Sequence, residues 1–407
     1  MTTVAYLALW AFIFTIPWEG VIRVSGVSIV SRVAGVIALG ITLLAVVMSG
    51  RFRRWHPFHF AALLFIACCG IGIFFFSFSP KIPNKFFTYI QLFAVLWMMW
   101  ELAPSRRAVH GLFLSYVMGA YVAALSTIGM YRSQAALLRR FAVGGIDPND
   151  LAMTLALALP MAWYLGLVFH RPVLRWVCRA YIPIGVFVVG LTASRGGMIV
   201  SALALTIIPL TLLRLTPGRL VGAIALLGLA AVLAVKYVPE TALARLATTT
   251  TEIEDARFGG RFKLWVAGLE AYRDKPLMGY GTSGFVLAIY PKLGTQSQVA
   301  HNSYISVLVE QGLVGFLLYA GMLLSAVLAT RRLPLLDRRF ARVLLATTFL
   351  AMTPLTWEDR KPVWFILAAV VGLTQAMVSA REAARAGPVP SPELRRPPVA
   401  VATGPRR

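Results

Sequence analysis

AHNSYISVLVEQGLVGF, residues 300–316, is where a long polar segment ends and an apolar run begins. From about Val238 to Gly315 the polar segment interrupts a series of apolar stretches, each about 18–25 residues long. That length matches the ~30 Å of hydrocarbon a helix must cross. The stretches fall near 4–18, 27–49, 58–79, 86–103, 108–130, 151–169, 174–193, 196–213, 219–236, 302–329, 340–357 and 361–380. None alternates with the period of two that a membrane barrel requires. The expected fold class is therefore an all-α polytopic membrane protein of about twelve transmembrane helices, with one long extracytoplasmic loop containing short amphipathic helices.

The expected organisation is nine transmembrane helices over 1–236, an active-site loop over 237–301, three more helices over 302–380 and a disordered tail over 381–407. The tail is rich in Pro, Ala and Arg and has no apolar period. The first twenty residues are apolar but carry no basic leader or small-residue cleavage site, so they read as a retained first span. In 407 residues, 58% are hydrophobic and the mean hydropathy is +0.75.

A formal charge of +23 would point to nucleic acid in a water-soluble chain. Here the excess sorts into alternate connections: Arg51, Arg53 and Arg54; Arg106 and Arg107; Arg171, Arg175 and Arg179; Arg214 and Arg219; Arg331, Arg332, Arg338, Arg339 and Arg342. The positive-inside rule makes these loops, and both termini, cytoplasmic. No nucleic-acid partner is expected; membrane lipids are. Cys68 and Cys69 are neighbours inside a span and Cys178 lies beside a basic loop, so neither a disulfide nor a zinc site is expected.

That orientation puts the loops near 19–26, 80–85, 131–150, 194–196, 237–301 and 357–361 on the outer face. His301 is the one histidine there; His56, His59, His110 and His170 map to the other side. An imidazole near neutrality takes up a proton, and a guanidinium holds phosphate in a bidentate fork. Two arginines share the outer face: Arg195 in TASRGG, before a Gly196–Gly197 reversal, and Arg261 at the start of a helix, where free N–H groups already favour an anion. Both also read as side chains snorkelling to headgroups, and Arg257 is an alternative to Arg261. Together these residues suggest transfer chemistry on a phosphate-activated donor.

The remaining polar positions have plainer readings beside the functional ones. Glu310, nine residues after His301, lies ~180° around a continuous helix from it and reads as a buried contact to a neighbouring span. Asp147 and Asp150 in GGIDPNDLA read as a metal pair or, with Pro148 and Asn149 between them, as a turn and helix N-cap. RFKLWVAGLEAYRDKP, residues 261–276, reads as an amphipathic helix with Phe262, Trp265, Leu269 and Tyr272 on the stripe facing the bilayer. Glycines 279, 281 and 284 read as a turning loop that is no dinucleotide fingerprint.

TASRGG, GGRFKLWVAGLEAYRDKPLMGYG and HNSYISVLVEQGLVGF, placed around the long loop, resemble the O-antigen ligase family of bacterial inner-membrane proteins over roughly Gly145–Gly315. O-antigen polymerases and protein O-oligosaccharyltransferases share the pattern. The resemblance implies transfer of a polysaccharide from an undecaprenyl-diphosphate-linked donor to a sugar hydroxyl of a lipid A-core acceptor, at the periplasmic face, without cofactor or metal. It also implies that His301 is the base and that Arg195 and Arg261 hold the diphosphate, with Arg257 the alternative to Arg261. Asn149, Asn302 and Glu310 are supporting candidates. Lipid or solute transport and a scaffold role are the competing classes; transport would place ionisable residues at mid-membrane or break paired spans there.

Overall fold

The computed structural model describes residues 1–24, 27–75, 82–134, 140–212, 216–237, 260–294 and 298–385. In chain order its helices are α1 (Thr2–Thr15), α2 (Val30–Ser49), α3 (Pro57–Phe75), α4 (Ile82–Leu102), α5 (Arg106–Gln134), α6 (Pro148–Val168), α7 (Pro172–Leu191), α8 (Arg195–Leu205) and α9 (Ile207–Thr211). They continue with α10 (Pro217–Tyr237), α11 (Arg261–Asp274), α12 (Phe285–Leu293), α13 (Ser303–Ala329), α14 (Leu335–Ala351) and α15 (Lys361–Arg385). The one sheet among the described residues is a pair of two-residue strands, Arg23–Val24 and Val27–Ser28. Arg257, the rest of 238–259 and the tail from 386 onward lie outside the described residues.

Each expected apolar stretch coincides with a helix, α8 and α9 together covering the eighth. Among the described residues, six helices are long and apolar enough to cross a membrane: α2, α5, α6, α7, α13 and α15. The shorter apolar helices are at Thr2–Trp18, Pro57–Gly72 and Arg195–Thr211.

α6 is the axis of the bundle. Every residue from Leu151 to Gly166 is buried, which is what a helix apolar all round requires. It packs against α5, α7, α8 and α14, while α15, buried from Pro362 to Thr374, packs against α4, α5, α13 and α14. Aromatic stacking closes the space between them, with Tyr164 on Phe340 and Tyr116 on Phe365. Cys68, Cys69 and Cys178 are buried free thiols.

The bundle's two ends differ in the residues they carry. At one end Arg53 donates to the carbonyl of Trp100, Arg106 pairs with Asp337, and Arg381 reaches the carbonyl of Arg332. At the other end lie Glu19 with Lys361, Lys85 with Glu358, and Asp150 with Trp357. The basic connections that hold Arg53, Arg106 and Arg332 thus meet at one end of the bundle.

Candidate active site at the charged end of the bundle

The first part of the polar segment within the described residues folds as a small roof. Gly260, with φ +83°, starts α11, whose Leu264, Ala267, Gly268 and Ala271 are buried against α12 and α13. With Phe285, Ala288, Ile289, Ala300 and Val309 they form a second apolar cluster separate from the main core. The helix packs on the protein by the opposite side from the stripe expected to face the bilayer: Phe262 and Leu269 are exposed, and Trp265 and Tyr272 are half-buried. The small residues Ala267, Gly268 and Ala271 let α11 approach its neighbours, which leaves its bulky residues facing outward. Trp265 Nε1 donates to the carbonyl of Ala300 at 2.9 Å, tying α11 to the residue before His301.

The glycine-rich loop is more than a turn. α13 breaks at Gly312, with φ +62° and ψ −167°, and the break frees backbone groups on both sides. The carbonyls of Val309 and Glu310 accept from Tyr280 (3.0 Å) and Gly281 (2.7 Å), and the amides of Leu313 and Val314 donate to Pro276 (2.8 Å) and Leu277 (3.2 Å). A Cβ at Gly312 would lie 2.2 Å from the Leu277 carbonyl oxygen, so the docking demands glycine.

Glu310 sits at that break. Its carboxylate takes Lys85 Nζ at 2.8 Å and the Ser283 amide at 3.1 Å. Lys85 also donates to Glu358 Oε1 at 2.7 Å, an oxygen shared with Ser306 Oγ at 2.7 Å. Glu358 is fully buried and its Oε2 has no hydrogen-bond partner. This pair of carboxylates bridged by one ammonium joins α4, α13 and the 352–360 loop beneath the roof.

That loop positions His301. Asn302 caps α13, its side chain accepting from the amides of Tyr304 (3.0 Å) and Ile305 (3.1 Å). The Ser303 amide donates to Met352 and its hydroxyl to Leu355, while the Trp357 amide donates to Ser303 Oγ. The His301 amide donates to Thr356 Oγ1 at 2.9 Å, and the residue holds φ +46°, a conformation that side chains other than glycine seldom adopt. The imidazole is half-buried, and burial pushes its pKa below the ordinary value. Arg261 pushes the same way, while Asp147 and Asp150 oppose both.

Asp147 is the N-cap of α6, accepting from the amides of Asn149 (2.7 Å) and Asp150 (3.4 Å). Asp150 accepts from Trp357 Nε1 at 2.8 Å and lies 3.8 Å from Arg360. Of the two readings open in the sequence, the geometry is the turn and cap. No cluster of three or more metal-ligating side chains occurs among the described residues.

Asn149 Oδ1 accepts from both Arg140 (2.9 Å) and Ser194 (2.9 Å), and Ser194 caps α8, of which Arg195 is the first residue. The chain reverses at Thr192–Ser194, with Ala193 at φ +50°, and not at the two glycines that follow. Gly197 serves contact instead: a Cβ there would lie 2.4 Å from the Ala152 Cβ. Gly196 faces Pro354, which brings the Arg195 turn beside the same 352–360 loop that holds His301.

Arg195, Arg261, His301, Asn149 and Asn302 thus gather at one end of the bundle, while Glu310 lies at the break in α13 and bears on the site through Lys85 and Glu358. Sequence reading passed over Lys85, Thr356 and Glu358. The string WEDR at 357–360, with three charged residues between apolar stretches, carried a signal; Lys85 and Thr356 carried none.

Comparison with curated proteins finds no match. Residues 180–320 match the family model described as O-antigen ligase, a span that includes Arg195, Arg261, His301, Asn302, Glu310 and the break at Gly312. Over that span the chain is similar to the O-antigen ligase and polymerase superfamily.

Proposed function

We propose that the protein is an inner-membrane glycosyltransferase that moves O-antigen polysaccharide from undecaprenyl diphosphate to a sugar hydroxyl of lipid A-core. The observation that carries this reading is the half-buried His301 imidazole, its backbone fixed by Thr356 at the end of the bundle where Arg195 and Arg261 also lie, inside the region that matches the O-antigen ligase model. In this reading all twelve apolar segments cross the membrane, the arginine-rich end and both termini are cytoplasmic, and the roof over His301 is periplasmic.

The acceptor hydroxyl oxygen attacks the anomeric carbon, and its proton passes to the neutral imidazole of His301. The bond from that carbon to the diphosphate oxygen breaks, and its electron pair leaves with undecaprenyl diphosphate. Arg195 and Arg261 hold the charge that grows there, and fixed guanidinium groups do so without reorganising. A lowered pKa keeps the imidazole neutral, and so able to accept a proton, at neutral pH. The outer carboxylates nearest His301 are engaged by a helix cap, an indole and a guanidinium, which supports a reaction that needs no metal.

A broken helix beside buried ionisable groups is also a feature of transporters, whose freed backbone groups face a substrate cavity. Here the freed groups of α13 are taken by the backbone of residues 276–281, which favours a structural role for the break.

The test is purified protein with undecaprenyl-diphosphate-linked glycan and rough lipopolysaccharide, read on a gel for glycan-bearing lipopolysaccharide. Native protein is expected to give a ladder, and His301→Ala to lose about 10²–10⁴-fold in rate while still binding donor. Product formed only with a free glycan or a protein acceptor would instead make the chain a polymerase or a protein O-oligosaccharyltransferase. An undiminished His301→Ala rate would refute the assignment of the base.

A further inference from the structure

At the end of the bundle away from His301, a cleft of about 620 Å³ opens between the start of α5 and the α6–α7 connection. Arg106, Arg107 and Arg171 line it with His110 and His170, and no acidic residue does. Two helices begin at this cleft, α5 at Arg106 and α7 at Pro172, and neither has an acidic residue in its first turn. Both therefore bring the positive end of a helix dipole to the same place.

The arginines are not equivalent. Arg106 donates to Asp337 Oδ1 (2.7 Å) and to Tyr164 Oη (3.3 Å), and His110 Nε2 contacts that same phenol at 2.9 Å. Its Nε is buried and without a hydrogen-bond partner. Arg107 and Arg171 are exposed and have no carboxylate partner among the described residues. Three guanidinium groups thus face the charge of one carboxylate, which leaves an excess suited to an anion.

The cleft has an apolar side as well. Val168, Phe169 and Leu174 line it, and on the same first turns of α7 Val173 and Trp176 are 72% and 64% exposed. The Arg179 guanidinium lies 5.4 Å from the Trp176 ring centroid. A soluble anion would use the arginines alone. A ligand with a phosphate and hydrocarbon chains would use both surfaces, its phosphate among Arg106, Arg107 and Arg171 and its chains along Val173 and Trp176.

We infer that this cleft is a binding site for the headgroup of an anionic phospholipid, separate from the site around His301. Guanidinium groups fork onto a phosphodiester, and basic recesses between membrane helices suit such headgroups. The inference does not depend on the transferase reading, because no residue of the His301 site takes part.

Native mass spectrometry of the full chain released from micelles tests it, with phosphatidylglycerol, cardiolipin and phosphatidylethanolamine supplied in equal amounts. The wild-type protein is expected to retain an anionic lipid in preference to phosphatidylethanolamine. Arg107→Gln with Arg171→Gln removes two surface cations that support no ion pair among the described residues, and should weaken that retention by about thirtyfold. Arg331→Gln with Arg332→Gln, at the same end but outside the cleft, should leave it unchanged. Retention indifferent to headgroup charge, equal loss in both double variants, or no loss in the first would overturn the inference. Displacement of the lipid by inorganic phosphate alone would reassign the cleft to a soluble anion.

Discussion

The two ends of the bundle are both rich in charge, yet they hold it differently. In the network beneath His301 the charged side chains are interlocked and withdrawn from water: Lys85 is 11% exposed, Glu310 5% and Glu358 fully buried. At the other end Arg51, Arg54, Arg107, Arg171, Arg331 and Arg332 stand exposed. Withdrawing a charge costs several kcal/mol that an exposed arginine never incurs. The difference teaches that exposed charge marks one end of the bundle, whereas a network of buried charge holds the loop beneath the candidate site at the other.

The sharpest way to break this contrast is at Lys85. Lys85→Met leaves Glu310 and Glu358 buried without their cation and is expected to destabilise the protein by about 3–5 kcal/mol. A thermal-unfolding series in one detergent measures it. A loss below about 1 kcal/mol, the range of exposed pairs, would show that water reaches these carboxylates and that the two ends do not differ as described.

Arg261→Lys comes next. A point charge cannot reproduce a bidentate fork, and losing one charge-assisted hydrogen bond is worth about 1.5–3 kcal/mol, or roughly ten- to a hundredfold in transfer rate at limiting donor. Full activity at limiting donor would remove Arg261 from the diphosphate role and direct attention to Arg195.

The pH dependence is a smaller and more specific effect. In the proposed reaction the base is neutral His301, so activity should fall as pH drops through its pKa, which burial and Arg261 place below the ordinary histidine value. The acid limb of the rate profile should therefore lie below about 6.5, the unperturbed histidine pKa. Asp150 raises that pKa, so Asp150→Asn, which keeps an acceptor for Trp357 Nε1, should move the limb further down. A limb that moves upward in this variant would mean that Asp150 acts by geometry and not by charge.

Much of this was legible in the chain. The apolar stretches, the sorting of arginines and the turn at Asp147–Asp150 follow from composition and short-range chemistry. Hydrophobic length and helix capping are local properties, and a sequence displays them. The break in α13 was not legible: VEQGLVG reads as helix with small residues for packing, and only the backbone of residues 276–281, more than thirty positions away, makes a break at Gly312 affordable. The turn before α8 failed for a related reason. Gly196 and Gly197 look like the reversal, but they are needed for contact with Pro354 and Ala152, so the turn moves to Ala193. Lys85 was hidden because its partners come from 225 and 273 residues later in the chain.

The smallest expected effect tests the other side of the comparison. Arg331 and Arg332 are exposed at the arginine-rich end, and what Arg332 gives to the fold among the described contacts is its carbonyl, which accepts from Arg381. A carbonyl survives any side-chain substitution, so Arg331→Gln and Arg332→Gln should each change stability by no more than about 0.5 kcal/mol. Transfer by folded protein should be unaffected, since neither side chain approaches the His301 end. Orientation is another matter: basic residues in short loops bias topology during insertion, and the bias is shared among all five clusters. Removing one pair should leave the topology intact, read by cysteine accessibility from either side of the membrane. Inversion by this pair alone would mean that orientation rests on one loop, and the arginine-rich end would then be as specifically built as the end that holds His301.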